Sequence, residues 1–270
     1  MNPIDRALLE FRALDVVAAR SSGPAQLDPR AKLLVTLVFI VVVVSFDRYQ
    51  VASLLPLTVF PLAMAIWGVV PLQALARKIA LAAPFALMVG LFNPWLDRAP
   101  MLDFGALQIS AGWVSFASIL LRFVLAMSAA LILVATTGIN AVAEALSRVG
   151  APRAFTTQLV FLYRYAFVLG EEASHMLTAA QLRGRGRPAI RFGVWVNLIG
   201  QLLLRAFERA QRIHLAMLAR GFDGEMKLAR RFQWSRADTR FTLLCCGTLV
   251  LLRWIDLPQA LGQFLLRIPG

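Results

Sequence analysis

Two arginines, each followed by glycine at the end of a helical-looking stretch, are the residues whose type and spacing most suggest a binding function. They are Arg183 in AAQLRGRG (179–186) and Arg220 in AMLARGFDG (216–224). Helix-end chemistry alone explains one such pair, because a cation suits the negative C-terminal end and glycine suits the left-handed position after it. The repetition of the pair favours a binding role in addition, since the planar guanidinium pairs bidentately with carboxylates and backbone carbonyls of a partner. We therefore predict a two-point docking surface.

The residues that could hold a metal ion lack the arrangement that a metal site needs. His175 and His214 lie in separate stretches, with no cysteine or carboxylate at ligand spacing. Cys245 and Cys246 are adjacent within an apolar segment, so their side chains point in different directions on a helix. We predict no metal site and interpret the cysteines as small apolar residues.

No arrangement of residues indicates catalysis or a cofactor. Neither Glu171-Glu172 nor the pair Asp97 and Asp103 has a nucleophile or base arranged near it. The segment RGRGRP (183–188) lacks the Gly-Lys-Ser/Thr ending of a phosphate-binding loop, so the chain itself is expected not to bind ATP. We therefore predict no catalytic residue and no bound cofactor.

The elements that position the arginines belong to a membrane protein. Hydrophobic residues make up 59% of the 270 residues and charged ones 16%, whereas soluble domains carry about 25% charged residues. A helix needs roughly 20 apolar residues to cross a bilayer. The predicted spans are 51–70, 79–96 and 113–139, with shorter segments at 33–46 and 241–252 counted as two more.

Charged residues at three of these spans carry specific expectations. Arg122 lies inside an apolar segment, where an unpaired cation is costly, so we expect a structural partner, either a carboxylate or a backbone carbonyl. Lys32 is expected to extend to the headgroup level at one end of the first span, and Arg253 with Trp254 to anchor the last one.

The charge distribution predicts the topology. Residues 139–240 contain 16 basic and seven acidic residues, a net charge of +9 out of +13 for the chain. Basic residues favour the cytoplasmic side, so this segment, the N-terminus and residues 71–78 are placed there. The predicted organisation is a membrane part (1–139), a cytoplasmic section (140–238) and a last span with its tail (239–270). Attraction to anionic membrane lipid is expected, and nucleic-acid binding is not.

The cytoplasmic section is predicted to contain a short helix over 140–150 and two long amphipathic helices, over 152–182 and 194–220. Apolar residues of the last helix share one face, and four arginines fall within an arc of about 80° on the other. The apolar residues are Leu203, Phe207, Ala210, His214 and Met217, and the arginines are Arg205, Arg209, Arg212 and Arg220. The fold class is thus all-α and polytopic, with five spans, or six if residues 155–170 also cross.

Three segments resemble the transmembrane coupling (T) component of energy-coupling-factor ABC importers, and in particular the CbiQ proteins of cobalt transport. They are IDRALLEFR (4–12) with LDPRAKLL (27–34), ATTG (135–138) with AEALSRVGAPR (143–153), and the two Arg-Gly helix ends. The resemblance covers residues 4–224. It implies a non-catalytic subunit in which each Ala-Arg-Gly helix end binds a groove of one cytoplasmic ATPase subunit.

The resemblance also assigns residues and partners. Ala219, Arg220 and Gly221 match the family signature in full. Leu182, Arg183 and Gly184 match it except that leucine stands in place of alanine. The following Arg185-Gly186 offers an alternative register for the first signature. The implied partners are two CbiO-like ATPase subunits and a CbiM-like substrate-capturing membrane subunit, with or without a CbiN-like one, in a bacterial inner membrane.

Cobalt is the expected cargo, and two alternatives remain open at this point. The first is the same coupling role in the uptake of nickel or a vitamin, because selectivity would reside in another subunit. The second is a membrane-embedded lipid-phosphate transferase whose arginines hold the anion. Such an enzyme should show paired carboxylates or a His-Asp set near the arginines, and none occurs at convincing spacing.

Overall fold

The computed structural model describes residues 27–96, 100–104, 107–183, 192–222 and 234–254. Its elements are α1 (Pro29–Ser45), α2 (Val51–Leu54), a 3-10 turn (Leu55–Thr58), α3 (Val59–Trp67), α4 (Leu72–Leu91), α5 (Asn93–Leu96), β1 (Pro100–Phe104), β2 (Leu107–Ser110), α6 (Ala111–Thr137), α7 (Ile139–Val149), α8 (Arg153–Arg183), α9 (Phe192–Ala219) and α10 (Arg236–Trp254). The predicted all-α class is confirmed, with one addition. Strands β1 and β2 pair in an antiparallel manner, a short strand pair that was not predicted from the sequence.

The described residues belong to two compact units. The first, here called the core unit, contains α1–α6, the strand pair and α10. The second, the α7–α9 unit, contains the described residues between 139 and 222. The candidate docking residues lie in the second unit, which follows directly from α6 in the chain.

Five helical segments run between the two ends of the core unit. One end contains the N-terminus of α1, the C-terminus of α6 and the N-terminus of α10. Hydrogen bonds join them there, from Asp28 to Asp238 and from Lys32 to Thr136. At the other end Asn93 of α5 donates to Ser115, near the N-terminus of α6, at 3.2 Å. The five segments are α1, the α2–α3 segment (α2, the 3-10 turn and α3 together), α4, α6 and α10. Successive segments therefore alternate in direction.

The hydrophobic core of this unit is centred on α1. Its fully buried side chains include Val35, Phe39 and Val43, and they pack with Leu125 of α6 and Leu249 of α10. The Phe39 ring also stacks on Phe60 of α3, with the ring centroids 4.7 Å apart. One side of α1 therefore packs in the core of the unit, whereas Leu37, Val41 and Val44 on its other side are exposed.

One carboxylate links the N-termini of α1 and α10. Asp238 is 2% exposed and accepts the Asp28 N–H at 2.8 Å and the Ser235 N–H at 2.7 Å. Ser235 in turn accepts the Asp238 N–H at 3.3 Å, which completes a reciprocal capping box at the start of α10. Asp28 caps α1 through the Arg30 N–H at 2.9 Å. Two helix starts thus share one buried acceptor.

Lys32 corrects a sequence prediction. It does not extend to a headgroup level but is 2% exposed, and its Nζ donates to the carbonyl of Thr136 at 3.1 Å. Thr136 lies in the last turn of α6, where unpaired carbonyls make the helix end negative. The ammonium group therefore stabilises the C-terminus of α6 from inside the protein.

Arg122 has the structural partner that was expected, and Arg253 contacts other residues of the protein. Arg122 donates through Nη2 to the carbonyl of Asp47 at 2.6 Å, which confirms a backbone carbonyl as its partner. Arg253 donates to Ser45 Oγ at 3.0 Å and to the Ser45 carbonyl at 3.2 Å, and lies over the Phe46 ring. It therefore anchors the end of α10 to the end of α1 within the protein.

Two described helical segments, Leu72–Trp95 and Ala111–Thr137, are long and apolar enough to cross a membrane. They correspond to the predicted spans 79–96 and 113–139. The segment Val51–Trp67 is shorter and contains the 3-10 turn at Pro56. The helices α1, α8 and α10 do not meet this criterion of length and composition.

Candidate functional site

The candidate site is built on α8 and α9, which run antiparallel. Gln158, near the start of α8, lines the same hollow as Met217, near the end of α9. Arg183, the last residue of α8, lines a second hollow with Leu198, near the start of α9. The helix bounds differ from the predicted ones by at most two residues, because Pro152 and Gly221 fix the start of α8 and the end of α9.

The predicted apolar face of α9 is confirmed. All five of its predicted members line the first hollow, opposite an aromatic segment of α8. The basic arc is not confined to the opposite side, however. Arg205 and Arg209 line the second hollow, and so they turn towards α8 rather than away from it. A helix crossing at an angle brings different faces of α9 against α8 along its length.

A Schellman motif places Arg220. The Phe222 N–H donates to the Met217 carbonyl and the Gly221 N–H to the Leu218 carbonyl, both at 3.0 Å. Gly221 has a φ of 75°, the left-handed conformation that glycine adopts at this position. Arg220 is therefore the exposed C-cap residue of α9, which confirms the helix-end interpretation of this Arg-Gly pair.

The first Arg-Gly pair ends α8. Arg183 is the last helical residue, and Leu182 before it is 78% exposed. Gly184 and the alternative pair Arg185-Gly186 lie outside the described residues, so their geometry is not compared with that of Gly221. Both arginines that the sequence singled out are thus exposed at helix C-termini.

Because the helices are antiparallel, the two arginines lie at opposite ends of the pair. Arg183 lines one hollow with Leu198, and Arg220 lies 22 residues after Leu198 along α9 (220 − 198). At a rise of about 1.5 Å per residue the two positions are about 33 Å apart. They therefore form two separate sites rather than one cluster.

One ion pair between the helices was not predicted. Arg205 Nη1 of α9 lies 3.1 Å from Glu172 Oε1 of α8, with the carboxylate side chain only 22% exposed. The sequence pattern indicated no partner for Glu172 and placed Arg205 in the basic arc. Residues 33 apart in sequence carry no local signal of pairing, so only the crossing of the helices reveals it.

The histidines lie in different hollows. His175 lines the one that contains Arg183, and His214 lines the apolar one. Within the described ranges, no group of three or more His, Cys, Asp or Glu side chains could hold a metal ion.

Comparisons with known proteins give the family. The family description CbiQ, cobalt transport protein, matches residues 20–233. This chain belongs to that family. It is 30% identical to the energy-coupling factor transporter transmembrane protein EcfT of Thermotoga maritima over 247 residues, covering 84% of this chain and 87% of that protein.

Two further relatives are similar. The EcfT protein of Listeria innocua is 25% identical over 247 residues, covering 85% of this chain and 92% of that protein. A protein of Methanocorpusculum labreanum, described as a fused cobalt transport protein CbiMQ, is 30% identical over 129 residues, covering 45% of this chain and 20% of that protein. The chain is therefore a membrane component of an energy-coupling-factor transporter, as its motifs predicted.

Proposed function

We propose that this chain is the coupling subunit of a cobalt importer and transmits ATP-driven movement from two cytoplasmic ATPase subunits to a substrate-capturing membrane subunit. The observation that carries the proposal is the placement of Arg183 and Arg220 at opposite ends of one helix pair, about 33 Å apart. Two ATPase subunits that close around ATP need one contact each, and a single lever joining both contacts converts their closure into movement of the helix pair.

The six docking residues have one role each in this proposal. Arg183 and Arg220 donate hydrogen bonds to carboxylates or carbonyls in the grooves of the ATPase subunits. Gly221 ends α9 so that Arg220 stands at its tip, and Gly184 follows Arg183 in the sequence as Gly221 follows Arg220. The side chains of Leu182 and Ala219 contact the groove walls. Leucine in place of alanine makes the first contact bulkier than the second.

The alternating segments of the core unit support a proposed topology. We infer that α1, the α2–α3 segment, α4, α6 and α10 cross the inner membrane, with the α7–α9 unit on the cytoplasmic side. The net charge of +9 between residues 139 and 240 supports this orientation. The broken α2–α3 segment can cross because the 3-10 turn at Pro56 is packed in protein, where Leu54 and Leu57 are buried.

The cargo and the membrane partner are inferred from the relatives. Because a CbiMQ protein joins a related sequence to CbiM in one chain, a CbiM-like subunit is the inferred partner that captures cobalt. The EcfT relatives name no cargo, so nickel or a vitamin is the second candidate. Uptake of radioactive cobalt and nickel by cells that express the chain with its partners separates these candidates.

A lipid-phosphate transferase is the less favoured function. That enzyme would need its arginines around one phosphate, whereas Arg183 and Arg220 lie about 33 Å apart along the helix pair. The distance argues against a shared anion site and favours two separate contacts.

The test is copurification with the ATPase subunits. Charge-assisted hydrogen bonds contribute about 1.5–3 kcal/mol each, so Arg183→Ala or Arg220→Ala alone should weaken binding roughly 10- to 150-fold. The double variant should lose the ATPase and its transport. Arg212→Ala is the matched control, since Arg212 lies on α9 with its side chain 72% exposed and lines neither hollow.

Replacement by lysine refines the test. Lysine keeps the charge but not the bidentate fork, so Arg220→Lys should bind the ATPase more weakly than the wild type and more tightly than Arg220→Ala. Normal assembly and transport by the double alanine variant would refute the docking role.

A further inference from the structure

The chain passes from the core unit to the α7–α9 unit at a glycine with an unusual backbone conformation. Gly138 is the last residue of the core unit, and Ile139 is the first residue of the α7–α9 unit and of α7. Gly138 directly follows the last residue of α6 and has a φ of 79° and a ψ of 147°. Residues with a Cβ are strained in this conformation. The change of direction between α6 and α7 therefore depends on one glycine.

The last turn of α6, directly before this glycine, is held from two sides. The carbonyl of Thr136 accepts a hydrogen bond from Lys32 Nζ of α1 at 3.1 Å. The Cγ2 of Thr136 lies so close to Gly68 that a Cβ at position 68 would be 2.6 Å from it. The Thr136 side chain is also tied to its own helix, since its hydroxyl donates to the Ile132 carbonyl at 2.8 Å. Helix α6 is thus fixed up to its last turn, and Gly138 comes directly after the fixed part.

The burial of Lys32 indicates a role in positioning rather than in stability. Lys32 is 2% exposed and lies among apolar side chains that include Phe60, Met64 and Ile132. A buried charge contributes little net stability, because the hydration that it loses offsets the attraction that it gains. It can instead select one arrangement of its partners, which here is the position of the last turn of α6 against α1.

We propose that Gly138 is the hinge of the α7–α9 unit, and that Lys32 is a positioning residue that confines the bending to this glycine. Because Lys32 holds Thr136, a movement of the α7–α9 unit changes the φ and ψ of Gly138 and does not unwind α6. Without this hydrogen bond the last turn of α6 unwinds, and the movement is spread over several residues. The hinge rests on the proposed coupling role, since it needs a unit that ATPase subunits move.

Hydrogen exchange in the full chain, without any partner subunit, tests whether Lys32 holds the end of α6. The Gly138 N–H donates to the Val134 carbonyl at 2.8 Å. Lys32→Met should speed the exchange of this amide about tenfold or more, because the turn loses a charge-assisted hydrogen bond. Val35→Ala is the matched control, since Val35 is 1% exposed and packs in the core on the same helix. It should lower the unfolding midpoint without a selective effect on this amide.

The complete transporter in liposomes tests the coupling. Lys32→Met should copurify with the ATPase subunits and hydrolyse ATP as the wild type does, whereas uptake of radioactive cobalt per ATP should fall about fivefold or more. Val35→Ala should keep the wild-type ratio of uptake to hydrolysis, although it destabilises the core. Lys32→Arg retains a charged donor and should regain part of the uptake. Failure of the docking role appears instead as normal assembly of the double arginine variant.

A second variant tests the hinge if Lys32→Met does not fold. Alanine is strained at a φ of 79°, so Gly138→Ala should lower uptake per ATP about fivefold or more. Gly150→Ala is the matched control, because Gly150 has a φ of 117° but lies inside the α7–α9 unit. It should keep the wild-type ratio. An unchanged exchange rate in Lys32→Met, a wild-type ratio in Gly138→Ala, or equal losses in Gly138→Ala and Gly150→Ala would overturn the proposal.

Discussion

At the scale of single residues, the buried carboxylate of Asp238 holds the N-termini of α1 and α10 together. Burial raises the pKa of this group, but hydrogen bonds from the Asp28 N–H, the Ser235 N–H and the Ser235 hydroxyl outweigh it. The attraction of Lys32 acts in the same direction, so that the net pKa is lowered. The ionised form is therefore the one that the folded protein stabilises.

The lowered pKa predicts a stability that depends on pH. When the pKa of a carboxyl group in the folded protein lies below its usual value of about 3.9, the group contributes its full stability above about pH 3.9. The contribution is lost as the pH falls through the lower folded pKa. Asp238→Asn should lower the free energy of unfolding by about 1.5–3 kcal/mol near pH 7. The difference from the wild type should shrink below about pH 3.9, as measured by thermal unfolding in detergent.

Glu208→Gln is the control for this measurement, because its side chain is 68% exposed and pairs only within α9. Its unfolding midpoint should follow that of the wild type at every pH. A constant difference between Asp238→Asn and the wild type down to pH 2 would contradict the assignment.

A second prediction concerns the close approach of Gly68 to α6. A Cβ at position 68 would lie 2.6 Å from Thr136 Cγ2 and 3.0 Å from the Met64 carbonyl oxygen. Thr136 cannot easily move, because its hydroxyl donates to the Ile132 carbonyl at 2.8 Å and its own carbonyl accepts from Lys32. Gly68→Ala should therefore cost about 1–3 kcal/mol in unfolding free energy through overpacking.

The matched control is Gly247→Ala, since a Cβ at position 247 has no neighbour within 4 Å. Alanine has a higher helix propensity than glycine, so this control should stabilise α10 by up to about 1 kcal/mol. A neutral Gly68→Ala variant would show that the two helices can separate at this point without cost.

At the scale of elements, α9 is a helix whose position depends on few contacts. It has 28 residues and none of them is buried. Its apolar face meets α8 across an open groove, and the Glu172–Arg205 ion pair is the charged contact that joins the two helices in the described residues. Exposed ion pairs contribute less than about 1 kcal/mol, so we expect this pair to affect the angle between the helices more than the stability of the unit.

The ion pair predicts a measurable change in the separation of α8 and α9. Arg205→Glu places a third carboxylate beside Glu171 and Glu172 and should widen the distance distribution between spin labels at positions 181 and 204. The double variant E172R/R205E should restore the distribution of the wild type. These labels require replacement of Cys245 and Cys246 by alanine.

Glu208→Arg is the control, because Glu208 pairs with Arg212 of its own helix at 4.0 Å. It should leave the distances between the labels unchanged. Identical distributions for Arg205→Glu and the wild type would refute the role of the pair in setting the angle.

At the scale of the whole molecule, thiol labelling at both ends of the core unit and at position 185 tests the proposed membrane topology. In a background without native cysteines, Gln73→Cys and Arg185→Cys should react with an impermeant thiol reagent only from the cytoplasmic side. Arg48→Cys should react only from the outer side. Ala129→Cys is the control and should react only after unfolding, since Ala129 is 3% exposed. Labelling of position 185 from outside would overturn the topology.

Much of the architecture was predictable from the sequence, because apolar length and helix-end chemistry are local properties. The start of α8 and the end of α9 follow from Pro152 and Gly221, and the apolar face of α9 follows from helical spacing. The capping box Ser235-Arg-Ala-Asp238 follows the same local chemistry, a Ser-x-x-acid pattern before an apolar run.

The burial of Lys32 shows where local reasoning fails. A lysine at the end of an apolar segment usually extends towards the headgroups, but here the carbonyl of a residue 104 positions later provides a partner inside the protein. The same holds for Arg205 and Glu172, whose pairing depends on how two helices cross. Contacts between distant residues follow from packing, and one sequence contains no record of them.

The sequence by itself determined which segments are helical, where the two Arg-Gly ends fall and to which family the chain is similar, because composition, periodicity and motifs act over short distances. Only the tertiary structure decided that the two arginines lie at opposite ends of an antiparallel pair, and that Asp238 joins two helix starts. The physical reason is that these relations depend on the packing of helices distant in the chain, in which shape and hydrogen-bond geometry select one arrangement.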